Sequence, residues 1–300
     1  IKKSNGYLLK GIRERVELIS RLSKEHSIKL LCKVLKVARS TYYSILNHKA
    51  SNREIENNIL KSKIFKVYCD NRKVYGSIKI TRILRDNGYP KLSVNRVSRL
   101  MKQLGIRSIT IRKFKNYRNK QNEHSELKNL VNQNFSAQKP NQIWLSDITY
   151  IHTIKHGWTY LASVLDVCTR KIVGYSYGRK MDRSLVISAL TNSWQNQNYP
   201  NNVILHSDRG SQYTSSEYIA AAERMGFRLS YSKKGCPFDN APMESFHSVL
   251  KKEEVYLKHY SSFYEANIRL FDYINGFYNL NRIHSAINYL SPIHFEKSLL

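Results

Sequence analysis

Hydrophobic positions recur at helical spacing through the first hundred residues and then change period. Residues 11–24 place Ile12, Val16, Ile19 and Leu22 three or four apart, which predicts a helix. Residues 27–37 and 41–47 read as two short helices around an Ala38-Arg39-Ser40 turn. Residues 52–70, with Ile55, Ile59, Ile64, Val67 and Tyr68, predict a longer helix, and 76–87, with Ile80, Ile83 and Leu84, another. Asn87-Gly-Tyr-Pro90 is a turn signal, after which Ser93 is placed to cap a helix through Leu104 that turns Val94, Val97, Leu100 and Met101 inward. Beyond a polar stretch without period, the pattern from Gln142 is that of strands rich in β-branched and aromatic residues. Strands are expected over 143–153, 158–167 and 171–177, then a helix over 184–195, a strand over 203–206, a helix over 215–225, a strand over 227–231 and a helix over 241–256. That order predicts an α/β core with a mixed five-stranded sheet and helices on both faces, preceded by an all-α region. The expected division is 1–50 helical, 51–118 helix-turn-helix, 119–140 linker and 141–300 α/β with a C-terminal helical extension.

Charge sharpens this division. The chain of 300 residues carries a formal charge of +28. Residues 1–140 hold 33 Lys/Arg against 9 Asp/Glu, whereas 141–300 hold 17 against 13. A polycationic helical half beside a nearly balanced α/β half points to a polyanionic partner, and double-stranded DNA fits the helical pairs. Arg39 opens the second short helix, and Arg96, Arg99 and Lys102 lie on the outer face of the helix after Ser93. These are the positions from which a helix-turn-helix reaches a groove, although a solvated basic face has the same appearance. Arg112, Lys113 and Arg118 belong to a basic run with aromatics, which reads as phosphate contact, as a flexible linker, or as both. Cys32, Cys69, Cys168 and Cys236 show no paired spacing, so neither a disulfide framework nor a zinc knuckle is expected, and a reduced, cytoplasmic setting is. No apolar run approaches membrane-spanning length, so no membrane partner is expected.

Three acids stand out against this basic background. Asp208 directly follows the strand expected over 203–206, Asp147 lies inside the first strand, and Glu244 opens the last predicted helix. Carboxylates drawn together from two strands and a helix suit hard divalent cations, which take oxygen ligands. Asp166, at the end of the second strand, reads as structural, Asp239 as an N-cap for the Glu244 helix, and His206 as packing beneath the Asp208 turn.

The local contexts of the acids are specific. Trp144-Leu-Ser-Asp-Ile-Thr-Tyr150, His206-Ser-Asp-Arg-Gly-Ser-Gln-Tyr213, Asp239-Asn-Ala-Pro-Met-Glu-Ser-Phe246 and Tyr278-Asn-Leu-Asn-Arg-Ile-His284 occur in that order, with 35 residues between Asp208 and Glu244. The set resembles the DD(35)E signature of retroviral integrases and, in its surroundings, the IS3 family of insertion-sequence transposases. Tyr75 to Ile106 resembles the helix-turn-helix placed before that catalytic core. The resemblance implies an RNase H-like fold, DNA strand transfer, and Asp147, Asp208 and Glu244 as catalytic, metal-binding residues. Two magnesium (or manganese) ions per active site would suit phosphodiester transfer, with Asp147 bridging them. Lys251, seven positions after Glu244 and on the same helix face, is expected to meet DNA phosphate. Arg282 and His284 are expected to help position DNA, or Arg282 to pair with a core acid. Expected partners are double-stranded DNA at element ends and target, further copies of the chain on DNA, and an upstream-frame helix-turn-helix or coiled-coil product. A hydrolytic RNase H-like nuclease and a DNA-binding regulator with an inactive core are the rival readings.

Overall fold

The computed structural model describes residues 11–111, 128–233 and 236–299. The chain forms two compact units, residues 1–62 and 63–300. In the first, α1 (Ile12–Leu22), α2 (Ile28–Val34) and α3 (Arg39–Leu46) close around Val16, Ile19, Leu31, Cys32, Val37 and Tyr42. Ser27 caps α2 by accepting from the Leu30 N–H. The helix α4 (Asn52–Asp70) carries the division between the units. Along it Leu60 and Ile64 are buried, but Ile55 and Ile59 stay half exposed.

The second unit takes in the next helices as well as the sheet, so residues 63–111 pack in one body with the α/β core. Here α5 (Ser77–Asp86) and α6 (Val94–Gln103) bury Ile80, Leu84, Val97, Leu100 and Met101, and Ser93 caps α6 through the Arg96 N–H. Tyr75, fully buried just before α5, accepts a hydrogen bond from the Ile283 N–H at 2.9 Å. The Ile111 N–H donates to the Lys252 carbonyl at 3.4 Å. Arg72 pairs with Glu254 at 3.1 Å and with Asp272.

The sheet has the order β3-β2-β1-β4-β5. Strands β1 (Ile143–Thr153), β2 (Gly157–Asp166) and β3 (Ile172–Gly178) form an antiparallel meander, and β4 (Ile204–Ser207) and β5 (Arg228–Tyr231) add in parallel on the other side of β1. Gly157, at φ 65°, turns the chain between β1 and β2, a conformation that suits glycine. Trp144, Ala162, Val164, Val173 and Leu205 meet α7 (Arg183–Asn196) and α8 (Ser216–Arg224) in one apolar core. Strand alternation therefore sends Asp147 to the opposite face, where α9 (Ala241–Glu253) lies against β1. This is the mixed sheet with helices on both faces that the sequence predicts.

The C-terminal segment wraps the core with α10 (Phe263–Phe271), a π-helical stretch over Asp272–Asn279 and α11 (Pro292–Ser298). Asn279 both accepts from the Ile172 N–H and donates to the Ile172 carbonyl, each at 2.9 Å, and so satisfies the outer strand β3. Arg282 is buried and grips Glu253 with two hydrogen bonds of 2.8 Å, while the Tyr273 hydroxyl donates to the same carboxylate. Asp166 is buried too, and its oxygens accept from Asn141 N–H and from the N–H and hydroxyl of Thr169. His206 sits beneath the end of β4 between the hydroxyls of Ser230 and Ser232, and burial lowers its pKa to about 4.

Gly174 meets α7 so closely that an added Cβ would lie 2.5 Å from the Ser193 nitrogen and 2.6 Å from its Cα. Gly174→Ala should therefore lower stability by about 1–3 kcal/mol, read as a shifted urea midpoint. Glu253→Ala, which strands the Arg282 guanidinium in the core, should cost about 3–5 kcal/mol, whereas the exposed pair of Arg82 with Asp86 should be dispensable in the same assay. His206 cannot take a proton in the folded chain until about pH 4, but it does so in the unfolded chain near 6.5. The unfolded state thus binds the extra proton, and stability must fall as pH drops from about 6.5 toward 4. At pH 5 this one group should cost about 2 kcal/mol, and equal urea midpoints at pH 7.5 and 5 would refute the assignment.

Candidate active site

Register brings the first two acids together. Strand β1 pairs with β4 in parallel, Leu145 opposite His206 and Ser146 opposite Ser207. Asp147 and Asp208 are the next residue on each strand. Asp147 keeps about a quarter of its side-chain surface exposed, and its Oδ1 accepts from the Ile148 N–H at 2.8 Å. Asp208 opens the turn after β4, where its Oδ1 accepts from the Gly210 N–H at 2.9 Å. Although its side chain reaches solvent at the rim, the surrounding protein strips enough water to raise its pKa, and the nearby Asp147 carboxylate raises it further against the Gly210 hydrogen bond. The two carboxylates are thus electrostatic neighbours.

The third acid arrives on α9. Glu244 lies in its first turn, and three residues on, His247 points from the same flank to Asp147, with Nδ1 3.4 Å from Oδ2. The other ring nitrogen of His247, Nε2, is buried without a hydrogen-bond partner. Among the described residues no three His, Cys, Asp or Glu side chains stand at metal-holding distances, so the three acids do not form a closed three-ligand cage. Carboxylate oxygens are the ligand type that hard divalent cations take, and the charge of Asp147 acts on Asp208.

Asp239 does not cap α9, contrary to the sequence expectation. The cap position is Asn240, and it makes no side-chain capping bond. Asp239 is buried one residue earlier, where Asn129, Gln133 and the Lys233 N–H all donate to its carboxylate. These partners lie on the chain leading into β1 and on the loop after β5, so the acid staples that loop rather than starting the helix.

The basic residues singled out by sequence divide sharply. Arg39, Arg99 and Lys102 are exposed, and Arg96 is partly so. Arg112, Lys113 and Arg118 lie outside the described residues. Lys251 shares the flank of α9 that carries Glu244, and it lines a groove of about 720 Å³ with Tyr150, Trp158, Tyr160, Tyr256 and Lys258. Trp158 is 60% exposed there, an unusual state for so large a ring. Arg282 belongs to the core ion pair with Glu253, the second of the two readings open to it from sequence, and is not placed as a surface DNA contact. His284 packs beside Arg282 and against the Tyr278 ring, and burial with three neighbouring cations holds it far below the ordinary histidine range, hence neutral.

Two residues escaped the sequence reading. His247 was legible in principle, one helical turn after Glu244, but nothing local tells that the turn faces Asp147. Lys79 on α5 looked like one more lysine among many. It is half-buried within electrostatic reach of Arg282, its Nζ lies 4.6 Å from the centre of the Tyr75 ring, and desolvation lowers its pKa to about 7.

Comparison with known proteins agrees with the fold and extends it. Family models described as "Integrase core domain" match residues 137–237 and 244–300, and one described as "HTH-like domain" matches residues 54–114. The chain is 39% identical over 253 residues to the "Transposase for insertion sequence element IS904" of Lactococcus lactis subsp. lactis (strain IL1403), covering 84% of this chain and 99% of that protein. It is 37% identical over 284 residues to "Transposase InsF for insertion sequence IS3A" of Escherichia coli (strain K12), covering 94% and 98%. Among solved structures, a simian T-cell lymphotropic virus intasome in complex with a PP2A regulatory subunit shows 14% identity and a TM-score of 0.45 over 78% of this chain and 74% of that one. Among the described residues no helix is long and apolar enough to cross a membrane. With insertion-sequence transposases matched along nearly their whole length, and an integrase core domain matched over residues 137–237, this chain belongs to the IS3-family transposases.

Proposed function

We propose that the chain binds the terminal inverted repeats of its insertion sequence and cuts and joins DNA strands with Asp147, Asp208 and Glu244. The observation that carries this reading is the juxtaposition of Asp147 and Asp208 by the β1–β4 register, with α9 leaning on Asp147 through His247. Asp147, held inside a central strand, has the most rigid backbone of the three and suits a bridging ligand. Asp208 and Glu244, on a turn and a helix end, would each complete one side. Magnesium (or manganese), two ions per site, would supply charge neutralisation at phosphorus and activation of the attacking oxygen. The protein groups then have positioning roles: the Gly210 N–H orients Asp208, and His247 orients Asp147. The chemistry proposed is nicking at the 3′ end of the element, followed by attack of the freed 3′-hydroxyl on a second phosphodiester. No protein nucleophile is needed.

DNA reading falls to the helical segments. We assign residues 1–50 and 51–118 to element-end recognition, with Arg39, Arg96, Arg99 and Lys102 toward the duplex and Arg112, Lys113 and Arg118 on phosphate, residues 119–140 to a linker, and 141–300 to catalysis. Lys251, on the Glu244 flank of α9 and at the edge of the aromatic groove, is suited to steady the strand next to the acids. Action on two element ends calls for more than one copy on DNA, and an upstream-frame product is a candidate partner.

Asp208→Asn is isosteric and removes a metal-binding charge. It should leave duplex binding largely intact and lower both nicking and joining by more than the ~10–100-fold that outer-shell partners of metal sites cost. Labelled element-end DNA incubated with Mg²⁺ and sized on a denaturing gel reads both steps. Released fragments without joined products would favour the hydrolytic nuclease, and undiminished cutting by the variant would remove Asp208 from the site.

A further inference from the structure

A second cationic site lies on a different flank of α9 from Glu244. It is a cavity of about 440 Å³, walled by Ser245 and Phe246 of α9 and by Tyr278, and lined also by Lys79, Arg170, Arg282 and His284; His284 lies within electrostatic reach of the other three. On the helix, Ser245 and Val249 face this cavity, whereas His247 faces Asp147. The body of the helix, about 10 Å across, therefore separates the cavity from the acids, and a group bound here is not the one that reacts.

The charge balance of the cavity is one-sided. Arg282 is matched by Glu253, which holds it with two hydrogen bonds. His284 is neutral. Among the described residues no carboxylate forms an ion pair with Lys79 or Arg170. The acid nearest to Arg170 is Asp166, whose oxygens are taken by donors from Asn141 and Thr169. Glu253 also acts on Lys79, but burial and Arg282 outweigh it and pull the lysine down to about 7. Arg170, and Lys79 whenever it is protonated, are thus held half-desolvated around one cavity, against apolar walls, with no carboxylate ion pair among the described residues. Such an arrangement is costly unless something anionic completes it. A guanidinium with a fixed donor fork and an ammonium lining one cavity are groups that recognise phosphate oxygens.

We propose that this cavity is a phosphate-binding site in which Lys79 and Arg170 hold a phosphate group of the substrate DNA, at a position distinct from the scissile one. The source of the phosphate rests on the proposed DNA-joining function; the site itself does not. Lys79 belongs to α5 and Arg170 to the turn after β2, so an occupied cavity would tie the helix-turn-helix to the sheet through a strand of DNA.

The test is competitive acetylation of the full chain at constant ionic strength, with Lys79 labelling read by mass spectrometry. In chloride, Lys79 should react faster at pH 7.5 than exposed lysines such as Lys102. Bound phosphate raises its pKa; at pH 7.5 the first unit of rise, from about 7 to about 8, slows labelling about threefold and each further unit about tenfold. Slowing by inorganic phosphate, and by a short duplex at far lower concentration, supports the site and its DNA source. Slowing by inorganic phosphate alone supports the site and overturns the DNA source. No slowing, or equal slowing when chloride replaces phosphate, overturns the site. Arg170→Gln should abolish the protection, and its persistence in that variant also overturns the proposal. Strand joining is no part of the readout, so loss of joining activity with Lys79 still protected counts against the proposed function and not against the cavity.

Discussion

The parallel pairing of β1 with β4 is the constraint on which the rest hangs. Side chains alternate along a strand, so slipping this register by one residue would turn Asp147 toward α7 and α8 and Trp144 away from its core. The cost of exposing Trp144, which is fully buried and packs 5.3 Å from the Phe227 ring, pins the register. Apolar burial on one face of the sheet thereby fixes where the carboxylates stand on the other. No attraction between the acids is needed to bring them together, and none exists: burial raises the pKa of Asp208, and the Asp147 carboxylate adds to the rise.

Much of this was readable along the chain because it is local. Alternation and β-branched content found each strand to within a residue or so, and Ser27 and Ser93 cap the helices whose starts they mark. What was not readable depends on partners far away in sequence. Asp239 stands where a helix cap is expected, but its hydrogen bonds run to Asn129 and Gln133, more than a hundred positions back, and that competition takes it from the helix. Arg282 could serve DNA or a core acid on sequence grounds, and the choice was made by Glu253, 29 positions away, and by the Tyr273 hydroxyl. Lys79 gives no local sign at all, since its environment is built by the C-terminal segment. The helix period places Glu244 and Lys251 on one flank, but only the tertiary packing of α9 on β1 says what that flank faces.

The acids of the core fall into two groups by what neutralises them. Glu253 has Arg282 and Tyr273, Asp166 has the donors of Thr169 and Asn141, Glu254 has Arg72, and Asp239 has amides and a backbone N–H. Apart from Glu254, whose Oε1 is buried without a hydrogen-bond partner, each of these is a finished interaction, in which a buried charge is held by strong donors and so contributes to a single packing arrangement. Asp147 and Asp208 differ. The Ile148 and Gly210 N–H groups reach one oxygen each, His247 stands at a long 3.4 Å, and the Asp147 charge acts on Asp208. Buried acids that serve the fold are satisfied within it. Like charges held near each other raise the free energy of the folded chain, and the cost is tolerable because Asp147 keeps about a quarter of its side-chain surface exposed and Asp208 reaches solvent just past β4.

The same reasoning separates the basic residues, and it explains why net charge alone says little. Most of the 50 Lys/Arg in the chain are exposed, where water screens them and a partner adds little to stability. They set a long-range attraction for polyanions but do not define a site. Position within the protein does that, because removing water from a charge makes its unmet interactions expensive. On one flank of α9 the expensive charges are negative, and around the cavity at Ser245 and Val249 they are positive. A helix that separates an electronegative cleft from an electropositive one matches the two chemistries of a DNA-joining enzyme, cation capture at the reacting centre and phosphate capture beside it, and it does so with a single rigid element whose own apolar face, Met243 and Leu250, is fully buried in the core.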